Sequence, residues 1–367
     1  GTYTGSAGAD TLTGGTKADT ITGGAGIDTI TGGAGGDTVH GGDGADIITS
    51  GSGADTINGD AGDDVIKFAT ANFTLLDTVD GGAGADTISF TNASTIADAD
   101  FTNVTSVETL TQVTSGHAMT IVLGALSNAS GLTKITDGTA ITTVTVGAGH
   151  TNALEVSVST GNDIINGSAS AAPLTITSAA NSIDGSDVWT GGTGSDTLSI
   201  TASGTAITDT ELAAITGFET ISLKTNATTG AITLADANIA EGKALTVDGT
   251  NITGSNKVLT VVGTAELDGY LTVLGGAGAD VITGTASSVG DNLQGNAGDD
   301  TFNFATANLT ATDVVDGGAG TGDILATSDG GTLVDTDFTG ITNVEKLNLF
   351  AGTTVTLEGK AQAAGFT

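Results

Sequence analysis

Aspartate recurs at every ninth residue near the start of the chain: Asp10, Asp19, Asp28, Asp37, Asp46, Asp55 and Asp64. A row of carboxylates at fixed spacing repels itself unless cations sit among the acids. The whole sequence repeats the message. It holds 42 acidic residues against 8 basic ones, a formal net charge of −34, and all the basic residues are lysine. Acid–base catalysis fits less well, because paired catalytic carboxyls must face each other across a substrate. Neighbouring acids such as Asp63–Asp64 and Asp299–Asp300 read instead as extra ligands in one turn.

Something must hold these carboxylates in register, and glycine fills most of the interval. Glycine loses the most entropy on ordering, so a glycine run alone would be a loose linker. An apolar residue, however, follows each aspartate by two: Leu12, Ile21, Ile30, Val39, Ile48, Ile57 and Ile66. The unit is G-G-x-G-x-D-x-U-x, with U apolar. Its first six residues predict a glycine turn, and its last three predict a minimal strand with the middle residue inward. Seven copies run without a gap from residue 5 to 67, and an eighth, GGAGADTIS, spans 81–89 with Asp86. Further copies place Asp196, Asp280 and Asp300. A stretched copy places Asp323, and a degenerate one, STGNDIIN, surrounds Asp163. One unit buries almost nothing, so units must stack and share a core.

The nonapeptide resembles the RTX family of calcium-binding parallel β-rolls. The resemblance implies that turns alternate between two edges, that turns eighteen residues apart stack, and that calcium lies between them. Asp10, Asp28, Asp46 and Asp64 would then form one edge, and Asp19, Asp37 and Asp55 the other. The implied ligands are the motif aspartates, with Asp86, Asp163, Asp196, Asp280, Asp300 and Asp323 added, together with turn carbonyls. Calcium takes roughly 6–8 oxygen ligands, which suits such an array. Lys17 stands where the family has glycine.

Other segments repeat on a longer scale. FTNVTSVETL (from Phe101), LAAITGFETI (from Leu212) and FTGITNVEKL (from Phe338) align, with Glu108, Glu219 and Glu345 at the eighth place. DDVIKFATANFTLLDTVDGGAGAD matches DDTFNFATANLTATDVVDGGAGTGD, which makes Phe68 and Phe304 equivalent. Stretches such as ITTVTVGAG alternate small polar and branched residues, the period-two signal of strands. DTELAAITGF reads as one or two helical turns. The expected fold class is all-β, an elongated parallel β-roll or β-solenoid with irregular loop insertions. Three segments are expected: an RTX roll over 1–90, a Thr/Val-rich solenoid over 91–274, and a second RTX block with solenoid over 275–367.

Competing chemistries find little support. The basic footprint that nucleic acid requires is missing. There is no cysteine for a disulfide or thiolate site, and no apolar run is long enough for a membrane helix, so no membrane insertion is expected. His40, His117 and His150 are expected to be exposed polar residues, and no HExxH or G-x-S-x-G motif occurs. Trp189 and Tyr270 read as packing residues. Outward threonines could order ice, but their ladders break where Ile47, Val65 and His40 intervene. No catalytic or cofactor-binding residues are expected beyond the calcium ligands, so the chain is not expected to be an enzyme.

RTX blocks set among Thr/Ala/Val-rich segments, with one proline, no cysteine and a low isoelectric point, resemble the calcium-dependent S-layer proteins of Gram-negative bacteria. The resemblance implies a secreted, structural protein of the bacterial cell surface, exported by a type I route. Its partners would be copies of itself in a lattice, and cell-surface polysaccharide through regions outside this fragment. The alternatives are a segment of a large RTX adhesin, or the non-catalytic calcium-folded tail of a secreted hydrolase or toxin. With no initiator Met and no signal-like start, the chain reads as a piece of a longer protein.

Overall fold

A computed structural model describes residues 1–92, 95–112, 118–138, 142–201, 205–224 and 231–366. The chain is all-β, a parallel β-solenoid. The reason is visible in the Thr-Ile-Thr tails. In Thr20–Ala25 the two threonines face outward and Ile21 is wholly buried. That strand pairs in parallel with Thr38–Asp43, Ile21 opposite Val39, a register of eighteen residues. Thr29–Ala34 pairs with Ile47–Ser52 in the same way, Ile30 opposite Ile48. Parallel neighbours need a long crossover, and here each crossover is the other half of the coil. Burying one isoleucine stabilises by about 1.5–3 kcal/mol. A coil with two of them cannot stand alone, so stability comes from stacking.

Two compact units make up the chain: Gly1–Ile176 with Gly192–Gly194, and Thr177–Gly191 with Ser195–Thr367. In the first, alternate nonapeptide tails feed two parallel sheets. One runs from Thr2–Thr4 to Val104–Thr105, and the other begins at Thr11–Thr13. After Lys67 the register widens to twenty-two residues, Ile66 opposite Ile88. The added residues form the 3-10 turn Thr70–Asn72 and carry Phe73 inward, where it meets Phe68, Phe90 and Phe101 edge-on at 5.1–5.7 Å. A third sheet then takes up Thr95–Ile96, Met119–Leu123, Thr142–Val146 and Ile164–Asn166.

The second unit uses the same plan with longer coils. Thr197–Ile200, Thr220–Leu223, Ala244–Asp248 and Tyr270–Leu274 pair successively in parallel. Thr260–Val262, Val281–Thr283, Thr301–Phe304 and Ile324–Thr327 do likewise. The DTELAAITGF segment supplies one helical turn, Asp209–Leu212.

Candidate metal centre

Along each row, the carboxylate of a motif aspartate accepts a backbone N–H from the coil that precedes it in sequence. The Asp10 N–H donates to Asp28 Oδ1 at 2.8 Å, Asp28 N–H to Asp46 Oδ1 at 2.7 Å, and Asp46 N–H to Asp64 Oδ1 at 2.7 Å. On the other edge Asp19 N–H donates to Asp37 Oδ1 at 2.9 Å, and Asp37 N–H to Asp55 Oδ1 at 2.8 Å. The two edges thus contain the residues that the family resemblance implies. In the second unit Asp280 N–H donates to Asp300 Oδ1, and Asp300 N–H to Asp323 Oδ1, both at 2.7 Å. Asp163 and Asp196 are wholly buried as well, and Asp163 Oδ1 accepts from Thr142 N–H at 2.8 Å.

The second carboxylate oxygen divides the motif aspartates into two classes. In Asp28, Asp37, Asp46, Asp55, Asp64, Asp86, Asp300 and Asp323, Oδ2 is buried and has no hydrogen-bond partner. In Asp10, Asp19 and Asp280 it accepts the N–H of the residue four earlier: Ser6, Gly15 and Gly276. Backbone conformation accounts for the difference. Every aspartate of the first class follows a left-handed residue at the second motif position: Gly24, Gly33, Gly42, Gly51, Asp60, Gly82, Asn296 or Gly318, with φ between 67° and 116°. Ser6, Gly15 and Gly276 are not left-handed. The left-handed turn withdraws the local N–H and leaves Oδ2 to another partner. Asp and Asn are among the non-glycine residues that best tolerate this conformation, which explains Asp60 and Asn296. Lys17 fits in the same way, since its turn is not left-handed either.

The first motif glycine answers to space rather than to φ. A Cβ on Gly23 would overlap both Asp28 Oδ2 and the Gly41 carbonyl oxygen, and one on Gly59 would overlap Asp64 Oδ2 and Gly81 O. Seven of the eight orphaned Oδ2 atoms therefore share a side-chain-free cradle with a carbonyl of the next coil, while at Asp55 the buried Ser50 stands in place of the first glycine. A buried carboxylate oxygen without a donor is costly unless a cation answers it. Burial, with like-charged neighbours adding, pushes Asp64 up to about 7 and Asp300 up to about 7. Burial also raises Asp46, Asp55, Asp86 and Asp323. Asp10 is lowered by the Ser6 backbone N–H. Oxygen-only donors in a negative, desolvated cradle are the donor set of calcium.

Several carboxylates that hold this array are not motif aspartates. Glu108 Oε2 accepts the Asp86 N–H at 2.8 Å, Glu219 Oε2 that of Asp196 at 2.7 Å, and Glu345 Oε2 that of Asp323 at 3.0 Å. Each glutamate takes the place of the next aspartate and ends its row. Ser106, Gly217 and Asn343, two residues earlier, are all left-handed. The three-fold alignment showed the position but not this role. Asp77, Asp291 and Asp313 are buried without any glycine motif, accepting N–H groups from Asp55, Leu271 and Asp291. Their only sequence signal is the D-x-U tail, as in Asp77-Thr78-Val79. Their second oxygens accept Thr74, Thr285 and Thr310 N–H groups.

Asp63 and Asp299 each spend an oxygen on the following coil, accepting Ala85 N–H and Thr321 N–H. His150 corrects the expectation of an exposed residue. It is wholly buried, its N–H donates to Gly147 O, and neither ring nitrogen has a partner. Its loop folds the ring inward, and burial lowers its pKa. His40 is half-exposed beside Asp60 Oδ2 at 3.3 Å. His117 lies outside the described residues. Trp189 is wholly buried, as a packing residue should be.

A solenoid whose turns present buried aspartate oxygens in rows is a calcium-binding repeat protein by construction. The family model for the RTX calcium-binding nonapeptide repeat matches residues 4–39, 31–66, 77–90, 272–288 and 285–303. The chain thus carries several copies of the RTX repeat, and such repeats bind calcium ions. Proteins that carry them are typically secreted. No helix among the described residues is long and apolar enough to cross a membrane. Neither a curated protein nor a solved structure matches the chain.

Proposed function

We propose that the chain is a structural, non-enzymatic part of a self-assembling bacterial surface protein, an S-layer protein, that folds and assembles on binding calcium. The observation that carries the calcium part is the set of eight buried Oδ2 atoms without partners: Asp28, Asp37, Asp46, Asp55, Asp64, Asp86, Asp300 and Asp323. These residues would hold the ions together with backbone carbonyls of the adjoining coil. Asp10, Asp19 and Asp280 would hold theirs with more help from the local turn, or after it opens, and the buried Asp163 and Asp196 would be further ligands. The ion supplies charge neutralisation and a fixed turn geometry.

The assembly part is supported by the resemblance to S-layer proteins and by the surface charge. Calcium would act a second time between molecules, bridging exposed acids such as Asp43 and Asp60. The partners are then copies of the same chain, in a head-to-tail arrangement that extends indefinitely. Polysaccharide of the cell surface would be reached through regions outside this chain. The test is light scattering and negative-stain imaging of the intact protein across a calcium titration. Ordered sheets above the folding midpoint are expected. A folded protein that stays monomeric at high concentration in millimolar calcium overturns the lattice, and an RTX adhesin segment becomes the better reading.

A further inference from the structure

Away from the nonapeptide turns, the second unit brings three more acids together. Asp236 opens the 3-10 turn Asp236–Asn238, and Glu266 and Asp268 lie between the strands Thr260–Val262 and Tyr270–Leu274. One carboxylate oxygen from each falls within 4.8 Å of the others. Glu266 is wholly buried. Its Oε1 accepts the N–H groups of Asp268 at 3.0 Å and Gly269 at 2.6 Å, while its Oε2 is buried with no partner. None of the ion pairs Gly1–Asp19, His40–Asp60 and Lys134–Glu155 involves these three acids, so no cation among the described residues answers this group.

The chain contains two built-in comparisons. Asp98 and Asp335 also open 3-10 turns, Asp98–Phe101 and Asp335–Phe338. The following coil meets each of them with backbone N–H donors. Asp98 accepts from Leu126 and Ser127, and Asp335 accepts from Glu358, Lys360 and Ala361. At Asp236 the following coil offers one such donor, Leu267 N–H at 3.1 Å, and adds the carboxylates of Glu266 and Asp268. A single carboxylate met by several N–H donors at the two comparison positions is here one of three carboxylates with fewer donors.

We infer that Asp236, Glu266 and Asp268 form a calcium site of their own, separate from the nonapeptide edges. Three carboxylates with no histidine or cysteine select a hard cation. Asp236 and Asp268 are exposed, so water can complete the shell that calcium requires. The buried Glu266 anchors the ion to the solenoid, and the ion ties the Asp236 turn to the loop of the next coil. This site does not depend on the lattice reading.

The test is native mass spectrometry of the full chain at calcium concentrations that saturate folding, with hydrogen exchange read at Leu267, Asp268 and Gly269. Asp268→Asn and Glu266→Gln are each expected to carry one calcium ion fewer than wild type and to exchange these amides faster, with an unchanged circular dichroism spectrum. Asp184→Asn, at an exposed acid outside every proposed calcium site, should keep the wild-type count. If Glu266→Gln does not fold, Asp236→Asn and Asp268→Asn decide, since both change exposed side chains. A wild-type ion count in the folded variants overturns this site and leaves the nonapeptide sites standing. A wild type that binds no calcium at all overturns both.

Discussion

Asp28 and Asp10 occupy the same motif position on the same edge, yet their second oxygens have different fates. That of Asp28 is buried without a partner, and that of Asp10 accepts from Ser6. Asp28→Ala should therefore raise the calcium midpoint of folding more than Asp10→Ala, as followed by circular dichroism. Equal shifts would count against the two classes of turn. Proton linkage gives a second expectation. Asp64 and Asp300 sit near 7 in the folded chain, against the ordinary aspartate value of 3.8. Between those values the metal-free fold holds protons that the unfolded chain releases, so it gains stability there and loses it as pH rises through 7. In chelator, the folded fraction should increase from pH 8 to pH 5. With calcium present the sign reverses, because protons compete for the same oxygens, and the calcium midpoint should rise as pH falls below 7. The aspartates themselves were legible in the sequence, because a nine-residue period leaves little else to explain. The split between them was not, since it depends on whether one backbone N–H turns toward the carboxylate or away.

At the scale of the element, three Val-Glu-x-Leu-type segments close three rows of carboxylates. Replacing Glu108 by Ala strands the Asp86 N–H, and an unsatisfied buried donor costs about 1–3 kcal/mol. Gln in its place keeps an acceptor, so Glu108→Gln should recover most of the loss in a chemical denaturation series. The first motif glycine is a sharper test of packing. Gly23→Ala puts a methyl group where Asp28 Oδ2 and the Gly41 carbonyl already stand, and should weaken calcium-dependent folding as strongly as removing a ligand. Ile48→Ala, within the core, is expected to cost about 2–5 kcal/mol by denaturation in excess calcium. The strands were readable because period-two patterning and a fixed repeat agree. Asp77, Asp291 and Asp313 were missed because burial of a lone aspartate is set by the coil above it, and a D-x-U tripeptide is too short to announce that. The position of Glu108 was plain from the alignment, but its role appears only once Asp86 and Glu108 are seen twenty-two residues apart on adjoining coils.

For the molecule as a whole, charge sets the conditions of folding. A net charge of −34 opposes compaction, and the extracellular class of calcium site binds with dissociation constants on the order of 10⁻⁴–10⁻³ M. A site at a hundredfold excess of ion adds about 2.7 kcal/mol, so a few of them match the whole stability of an ordinary domain. At pH 8 chelation should abolish the β-sheet spectrum, and a folded spectrum in chelator at that pH would remove calcium from the account of stability. The fold class was legible at this scale and the charge told which ion-rich condition it needs. The burial of His150 was not, because a glycine-flanked histidine in a loop carries no mark of which way the loop folds.

The fifth residue of each nonapeptide lies beside the motif aspartate, and all seven in the tandem run are exposed: Ala9, Ala18, Ile27, Gly36, Ala45, Ala54 and Asp63. Their side chains range from none at all to isoleucine to a carboxylate. The scaffold behaves like ruled paper, with the lines fixed by glycine and aspartate and the writing left open. A lineage could vary this column to change what the surface shows to a phage or an antibody without disturbing the ion rows. An engineer could use the same column to display a chosen side chain once per coil, at a pitch that the solenoid itself maintains.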